Sequence, residues 1–195
     1  FLAKSRIDLS QCLALGDDLA LERHETLRKT LEARVGAQAA SLFAEPLLSR
    51  GNDSAPATVS WYTDVEGNGQ PLPRLDAAAQ AGPAAQLAQA LHAIAPLASD
   101  AEIGPIVASA MHISDADSVW SVNGKPDILN WGMLGAEQAN EPAARRAQYA
   151  ETLGRFLPLP SAPPLNDAER EAFEGSMAAP PPSSGSPLPA AAAVG

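Results

Sequence analysis

The chain has little of what metal centres and nucleophilic active sites usually require. It contains one cysteine, Cys12, and three histidines in 195 residues. A single cysteine excludes an internal disulfide and a zinc cluster built on cysteines. No two histidines have the i,i+4 spacing of a helical metal site, so we expect no metal and no other cofactor. Cys12 lies among leucines and is predicted to be a small buried hydrophobic residue.

Basic residues and long apolar runs are also scarce. Lysine and arginine number 13 against 23 acidic residues, which gives a net charge of −10. This balance excludes the basic surface that nucleic-acid binding needs, and it disfavours contact with an anionic membrane surface. No stretch approaches the roughly 18 apolar residues of a membrane span, and the N-terminus has no signal-peptide pattern. We therefore expect no membrane insertion within this segment.

Aromatic residues make up only 5% of the chain, yet two of the three tryptophans lie in residues 118–132. Two short runs rich in Val, Ile and Trp flank Asn123-Gly124 there, which predicts a β-hairpin with a tight turn. Because alternate strand residues share a face, Trp120 and Trp131 are expected on one side with Val122 and Leu129. We predict that this side is buried, since each tryptophan can cover about 150–250 Å².

The remaining pattern predicts an α+β domain. Residues 58–75 resemble a second hairpin that contains Trp61, and the two hairpins are expected to form one small antiparallel sheet. Helices at residues 18–35, at 37–44, after Asp76, near 105 and from 141 would cover this sheet. Gly82-Pro83 predicts an interruption, or a later start, in the helix after Asp76.

Composition changes at residue 158. Residues 1–157 are predicted to be the globular domain, and residues 158–195, rich in Pro, Ala and Ser, to be a largely disordered linker. The chain begins with Phe1, so we expect it to be a fragment or a processed chain.

Two kinds of site are compatible with the pattern. The first is a protein-binding surface on the hairpins, where the exposed turn 123–127 is the strongest candidate contact. The second is an enzymatic acidic cleft formed by Asp64, Glu66, Asp115 and Asp127. We identify no catalytic residue. The calcium-loop pattern around Asp115 lacks the required Gly and Glu. The candidate binding residues are Trp61, Tyr62, Trp120, Asn123, Lys125, Asp127 and Trp131.

Three segments carry a family resemblance. They are LFAEP at 42–46, VSWYT at 59–63, and the hairpin from VW at 119–120 to NWG at 130–132. In this order they resemble the N-terminal region of large, membrane-anchored bacterial proteins related to the SrfA-type virulence-associated proteins. The resemblance implies a cytoplasmic domain, a Pro-rich connector and a membrane span beyond Gly195, and it supplies no catalytic residues.

The expected function is a non-enzymatic interaction or regulatory domain of a larger bacterial envelope-associated protein, with a protein partner. The alternatives are a hydrolase that uses the acidic cleft and a structural spacer between the membrane and a partner.

Overall fold

The computed structural model describes residues 1–157, 162–166 and 168–169. Antiparallel strands form two three-stranded sheets, in the orders β1-β5-β4 and β6-β7-β8, and the pair β2-β3. The described strands are β1 (Ala3–Arg6), β2 (Ala14–Leu15), β3 (Asp18–Leu19), β4 (Glu45–Ser49), β5 (Thr58–Tyr62), β6 (Gly69–Pro71), β7 (Val119–Val122) and β8 (Lys125–Ile128). Together with the helices, these small antiparallel sheets confirm the predicted α+β class.

The helices of the described residues are α1 (His24–Val35), α2 (Ala37–Ala40), α3 (Ala77–Ile94), α4 (Gly104–Ala110), α5 (Ala136–Asn140) and α6 (Pro142–Glu151). The carboxylate of Asp76 accepts the Ala79 N–H at 2.8 Å and caps the start of α3. The predicted interruption at Gly82-Pro83 is wrong, because α3 runs through both residues. Gly82 has no Cβ to clash with the proline ring, and burial of Leu87, Leu91 and Ile94 favours the continuous helix.

The predicted hairpin turn and its first strand form, but the second strand is shorter than predicted: β8 ends at Ile128, Asn130 has a positive φ of 49°, and Trp131 lies beyond the strand instead of sharing its face with Trp120. Asn123 and Gly124 have φ values of 50° and 77°, the positive values that a two-residue hairpin turn of type I′ requires. Both faces of the hairpin are buried, whereas one was expected to be, because α3 packs against β8 and the other strands and helices cover the rest.

The predicted hairpin at residues 58–75 is wrong in its pairing. β5 lies between β1 and β4 in one sheet, whereas β6 pairs with β7 in the other. A side chain on Gly69 would come within 2.9 Å of Val122 and 3.0 Å of Trp120, so glycine allows the close approach of β6 and β7. Local sequence could not show that two remote segments, β1 and β4, would occupy both edges of β5.

The core joins the two sheets through Trp131. Its ring centroid lies 6.4 Å from that of Trp61 and 5.9 Å from that of Phe43, and its indole N–H donates to the Ala44 carbonyl at 2.9 Å. Trp61 and Trp131 are fully buried, as predicted for Trp131. Trp120 is only half-buried and packs near Gly69, so it contributes less to the core than Trp131.

Residues beyond the predicted domain boundary also pack on this core. Pro163 and Pro164 are buried, and the His112 ring donates to the Pro163 carbonyl at 3.3 Å. The buried Arg145 guanidinium donates to the Glu169 carboxylate and, at 2.9 Å, to the Ala139 carbonyl. These described residues belong to the segment predicted as a linker. The rest of 158–195 lies outside the described residues, so its predicted disorder stays a prediction.

Within the described part of the chain, no helix is both long enough and apolar enough to cross a bilayer.

Candidate functional site

The surface of the described residues contains an open groove of about 680 Å³. One wall is the hairpin turn, with Asn123, Lys125 and Pro126. The loop after β5, with Asp64 and Glu66, forms a second wall. The helices α1, α2 and α3 contribute the other lining side chains, among them Arg28, Gln38, Ser41 and Gln86.

Short-range contacts hold the groove walls in place. The side-chain amide of Gln86 donates to the Gly124 carbonyl at 3.3 Å, which ties α3 to the hairpin turn. A Cβ on Gly67 would lie 3.4 Å from that of Asn123, so the loop after β5 runs against the turn. Within that loop, the Val65 N–H donates to the Thr63 hydroxyl at 3.2 Å. The groove is thus built from segments far apart in sequence.

Charges of both signs line the groove. Arg28 donates to Asp64 at 2.6 Å, and both side chains are about half exposed. An ion pair this exposed contributes about 0–1 kcal/mol to stability because water screens it. Glu66 and Lys125 extend the mixed charge along the same lining. This lining suits a polar ligand with several hydrogen-bonding groups.

Beside the groove lies a second cavity, of about 10 Å³, which is the size of one water molecule. Arg28, Ser41 and Asp64 line both the groove and this cavity, so the two are contiguous. Asp127 lines the cavity, is only 1% exposed, and has no hydrogen-bond partner for either carboxylate oxygen among the described residues. Asp127 was expected in an exposed turn, and that expectation is wrong.

Burial raises the pKa of Asp127 to about 7, and the negative charge of Asp64 acts in the same direction. The Thr63 hydroxyl and the Ile128 N–H lie near the carboxylate and offset part of this effect, although neither meets the geometry of a hydrogen bond to it. The Ile128 N–H already donates to the Leu42 carbonyl at 2.8 Å, so it does not satisfy Asp127. A carboxyl group that is buried without a partner costs free energy when it ionises.

His24 forms another part of the cavity wall. Burial lowers its pKa, so the ring is neutral near pH 7, and its Nε2 donates to the Phe43 carbonyl at 3.1 Å. The ring centroid lies 5.9 Å from that of Trp131. These contacts give His24 a structural role in supporting the cavity.

The predicted site residues divide into four groups. Asn123 and Lys125 line the groove, whereas Tyr62 and Asp127 line the small cavity. Trp61 and Trp131 lie in the core, out of reach of any ligand. Trp120 lines neither space. Tyr62 is 36% exposed and contacts the Phe1 ring edge-on, with centroids 5.8 Å apart.

The four acids of the predicted cleft do not share one space. Asp64 and Glu66 line the groove and Asp127 the cavity beside it. Asp115 lines neither of these spaces, and it accepts a hydrogen bond from the Ser118 hydroxyl at 3.1 Å. Three of the predicted acids are therefore neighbours, and the fourth belongs to the turn before β7.

The lone cysteine is protonated at neutral pH. Burial raises the pKa of the Cys12 thiol to about 11, so it stays protonated near neutral pH. Among the described residues, no cluster of three or more His, Cys, Asp or Glu side chains could hold a metal ion.

Sequence reasoning missed several groove residues, notably Arg28, Gln38 and Gln86. Arg28 lies on the polar face of an amphipathic helix, where charged residues ordinarily face solvent. Its pairing with Asp64 spans 36 positions of sequence, and no local pattern indicates such a contact.

A search with this chain found no match among protein-family models, curated proteins or solved structures. The resemblance to SrfA-type proteins stays a prediction.

Proposed function

We propose that the chain is a non-enzymatic interaction domain whose groove binds an extended peptide segment of a partner protein. The observation that carries this proposal is the lining of the groove. Side-chain amides of Gln38, Gln86 and Asn123 stand beside charges of both signs and beside apolar side chains such as Leu42. Amides match the donors and acceptors of a peptide backbone, and the apolar and charged positions can select side chains.

Peptide selection tests the proposal directly. The immobilised chain would be used to select binders from a random peptide library, and each binder would be measured against groove variants by fluorescence anisotropy. Glu66→Lys and Lys125→Glu reverse charges in the groove lining, so we expect them to weaken binding at least tenfold. Arg146→Glu, an exposed position on α6 that lines no described groove, is the matched control. If no selected peptide distinguishes the groove variants from the control, the groove is not the binding site.

A hydrolase is the second candidate, and the raised pKa of Asp127 favours it, because a carboxyl group that titrates near pH 7 suits general acid catalysis. The same burial argues against it, since a side chain that is 1% exposed cannot touch a substrate in this conformation. To distinguish a hydrolase from an interaction domain, the parent chain and Asp64→Asn would be assayed with ester, phosphate and glycoside substrates. Turnover that disappears with Asp64→Asn would favour the enzyme over the interaction domain.

We further propose a cytoplasmic domain of a larger, membrane-tethered bacterial protein. Support comes from the resemblance to SrfA-type proteins and from the Pro/Ala-rich composition of residues 158–195. Fractionation of cells that express the full-length protein tests this proposal. Recovery of that protein in the membrane fraction is expected, and its release into the supernatant at low salt would contradict the tether.

A further inference from the structure

We propose that the small cavity beside the groove receives a primary ammonium group, such as a lysine side chain of the bound segment, and that Asp127 is its counter-ion. This inference rests on the proposed function because it names the chemistry of one position in the groove ligand. The argument uses three properties of the cavity: its unpartnered carboxylate, its charge and its size.

The carboxylate of Asp127 lacks a partner although it is buried. Most buried polar groups in folded proteins are hydrogen-bonded, so an exception requires an explanation. Neither Asp127 oxygen has a partner among the described residues, and Asp127 lines a space that other polar side chains also line. An incoming donor would complete this site without breaking a hydrogen bond of Asp127.

The surroundings favour a cation. The linings of the groove and the cavity hold the carboxyl groups of Glu45, Asp64, Glu66 and Asp127. The cationic side chains of these linings are Arg28 and Lys125, and Arg28 is already paired with Asp64. With His24 neutral, the site carries an excess of negative charge whenever Asp127 is ionised. A cation gains from this field, whereas an anion would be repelled.

The size of the cavity selects among cations. About 10 Å³ accommodates a group no larger than a water molecule. An ammonium group has this size and donates up to three hydrogen bonds, whereas a planar guanidinium group is wider. The described residues offer no cluster of donors for a metal ion. A water molecule also fits, but it would leave the charge of Asp127 uncompensated.

The ion pair of Arg28 and Asp64 stands where the cavity adjoins the groove, with an N–O distance of 2.6 Å, so it must separate to let an ammonium group enter. Both side chains line the groove as well as the cavity, and both are about half exposed. An ammonium group that arrives from the groove would pass these two side chains and then meet Asp127. Asp64 would remain close to it as a second acceptor.

Binding of an ammonium group should be linked to proton release. The titratable and charged groups that face Asp127 are His24 and Arg28 from α1, Glu45 from β4, Tyr62 from β5, and Asp64 from the loop that follows. Below pH 7 a proton must leave Asp127 before an ion pair can form. The affinity for an amine should therefore rise between pH 6 and pH 8, and a variant without the carboxyl group should lose this dependence.

The decisive probe is n-butylammonium chloride, titrated into the intact chain. The carboxyl carbon of Asp127 and the amide of Thr63 would be followed by NMR, with tetramethylammonium chloride at equal concentration as the control for ionic strength. We expect a saturable shift of both signals with n-butylammonium and none with tetramethylammonium, which is too large for the cavity. Asp127→Asn should abolish the Thr63 shift. Asp53→Asn, an exposed aspartate outside these linings, should retain it.

A second measurement separates this inference from the proposed function. Peptides selected on the groove would be compared with variants in which each lysine is replaced by uncharged norleucine. Loss of at least about thirtyfold in affinity, absent when the chain carries Asp127→Asn, is expected from the removal of one partner of a buried charge pair. If n-butylammonium gives no saturable shift and the selected peptides bind Asp127→Asn as tightly as the parent, the inference is overturned and the peptide groove stands. If no peptide depends on the groove while n-butylammonium binds, the groove proposal fails and the amine site stands.

Discussion

Asp127 and Arg145 are both buried, but only Arg145 has a counter-ion and hydrogen-bond partners among the described residues. The Arg145 guanidinium donates to the carbonyls at the end of α5 and pairs with Glu169. Asp127 has neither a counter-ion nor a hydrogen bond on its carboxylate oxygens among the described residues. A buried charge that is fully matched holds two segments of chain together. A buried carboxylate left unmatched beside a groove is a position that a ligand can complete.

The carboxylate that pairs with Arg145 is itself held by hydrogen bonds to neighbouring residues. Glu169 also accepts the Leu165 N–H at 2.8 Å, while Asn166 accepts the Glu169 N–H at 2.9 Å. These bonds hold the carboxylate in position beside the guanidinium. Near Asp127, by contrast, the arginine that lines the cavity, Arg28, is paired with the half-exposed Asp64. The same chain thus contains one closed charge site and one open charge site.

We expect the largest loss of stability from a substitution in the core that supports the cavity beside Asp127. Trp131→Ala should lower the free energy of unfolding by about 3–5 kcal/mol, because it removes a fully buried ring that supports His24 and Phe43. Urea denaturation followed by circular dichroism measures this change. Trp120→Ala, at a half-buried position, should cost clearly less. Equal losses in the two variants would contradict the central position assigned to Trp131.

The second-largest loss of stability is expected when the buried ion pair of Arg145 and Glu169 is broken. Glu169→Gln leaves the buried Arg145 guanidinium without its counter-ion, so we expect a loss of about 3 kcal/mol in the free energy of unfolding. Glu151→Gln, an exposed glutamate at the end of α6, is the matched control and should change little. Denaturant unfolding of both variants measures the difference. Identical stabilities would mean that Glu169 does not balance the charge of Arg145.

Asp127→Asn should raise the free energy of unfolding at neutral and alkaline pH, whereas the two preceding substitutions lower it. The pKa of Asp127 is about 7 in the folded chain and 3.8 for an unperturbed aspartate, so its contribution to stability is fully present below pH 3.8 and is lost as the pH rises to 7. The variant cannot ionise there, so it should gain on the order of 3–4 kcal/mol over the parent at pH 8. The two should be equally stable near pH 3.8. Thermal unfolding across this pH range measures the gain, and a gain that does not depend on pH would contradict burial of the carboxyl group.

The smallest effect is expected on the exposed pair at the mouth of the cavity. Asp64→Asn removes the partner of Arg28 at a site open to water, so stability should change by less than about 1 kcal/mol. Unfolding at low and high salt measures the contribution of the pair. A loss as large as that expected for Glu169→Gln would show that the mouth is a structural ion pair, and the way into the cavity would then be closed.

Prediction from sequence succeeded where neighbouring residues decide the conformation. The turn at Asn123-Gly124 and the cap at Asp76 follow from preferences carried by two to four residues. It failed for the pairing of β5, whose neighbours begin at residues 3 and 45. Four residues named from the sequence line the groove: Asn123 and Lys125 at the hairpin turn, and Asp64 and Glu66 in the loop after β5. Prediction missed Arg28 and Gln86, since only packing of the helices brings them to the groove.

The sequence by itself determined the α+β class, the hairpin and the acidic balance, because strand and helix periodicity, turn chemistry and net charge are properties of the chain in one dimension. Only the tertiary structure decided which charges would be matched. Asp127 lies in a strand beside an exposed turn, and nothing local to it predicts burial. Arg145 meets an acid 24 positions away. The free energy of a charge depends on the water and the partners around it, and these are set by segments that meet only after the chain has folded.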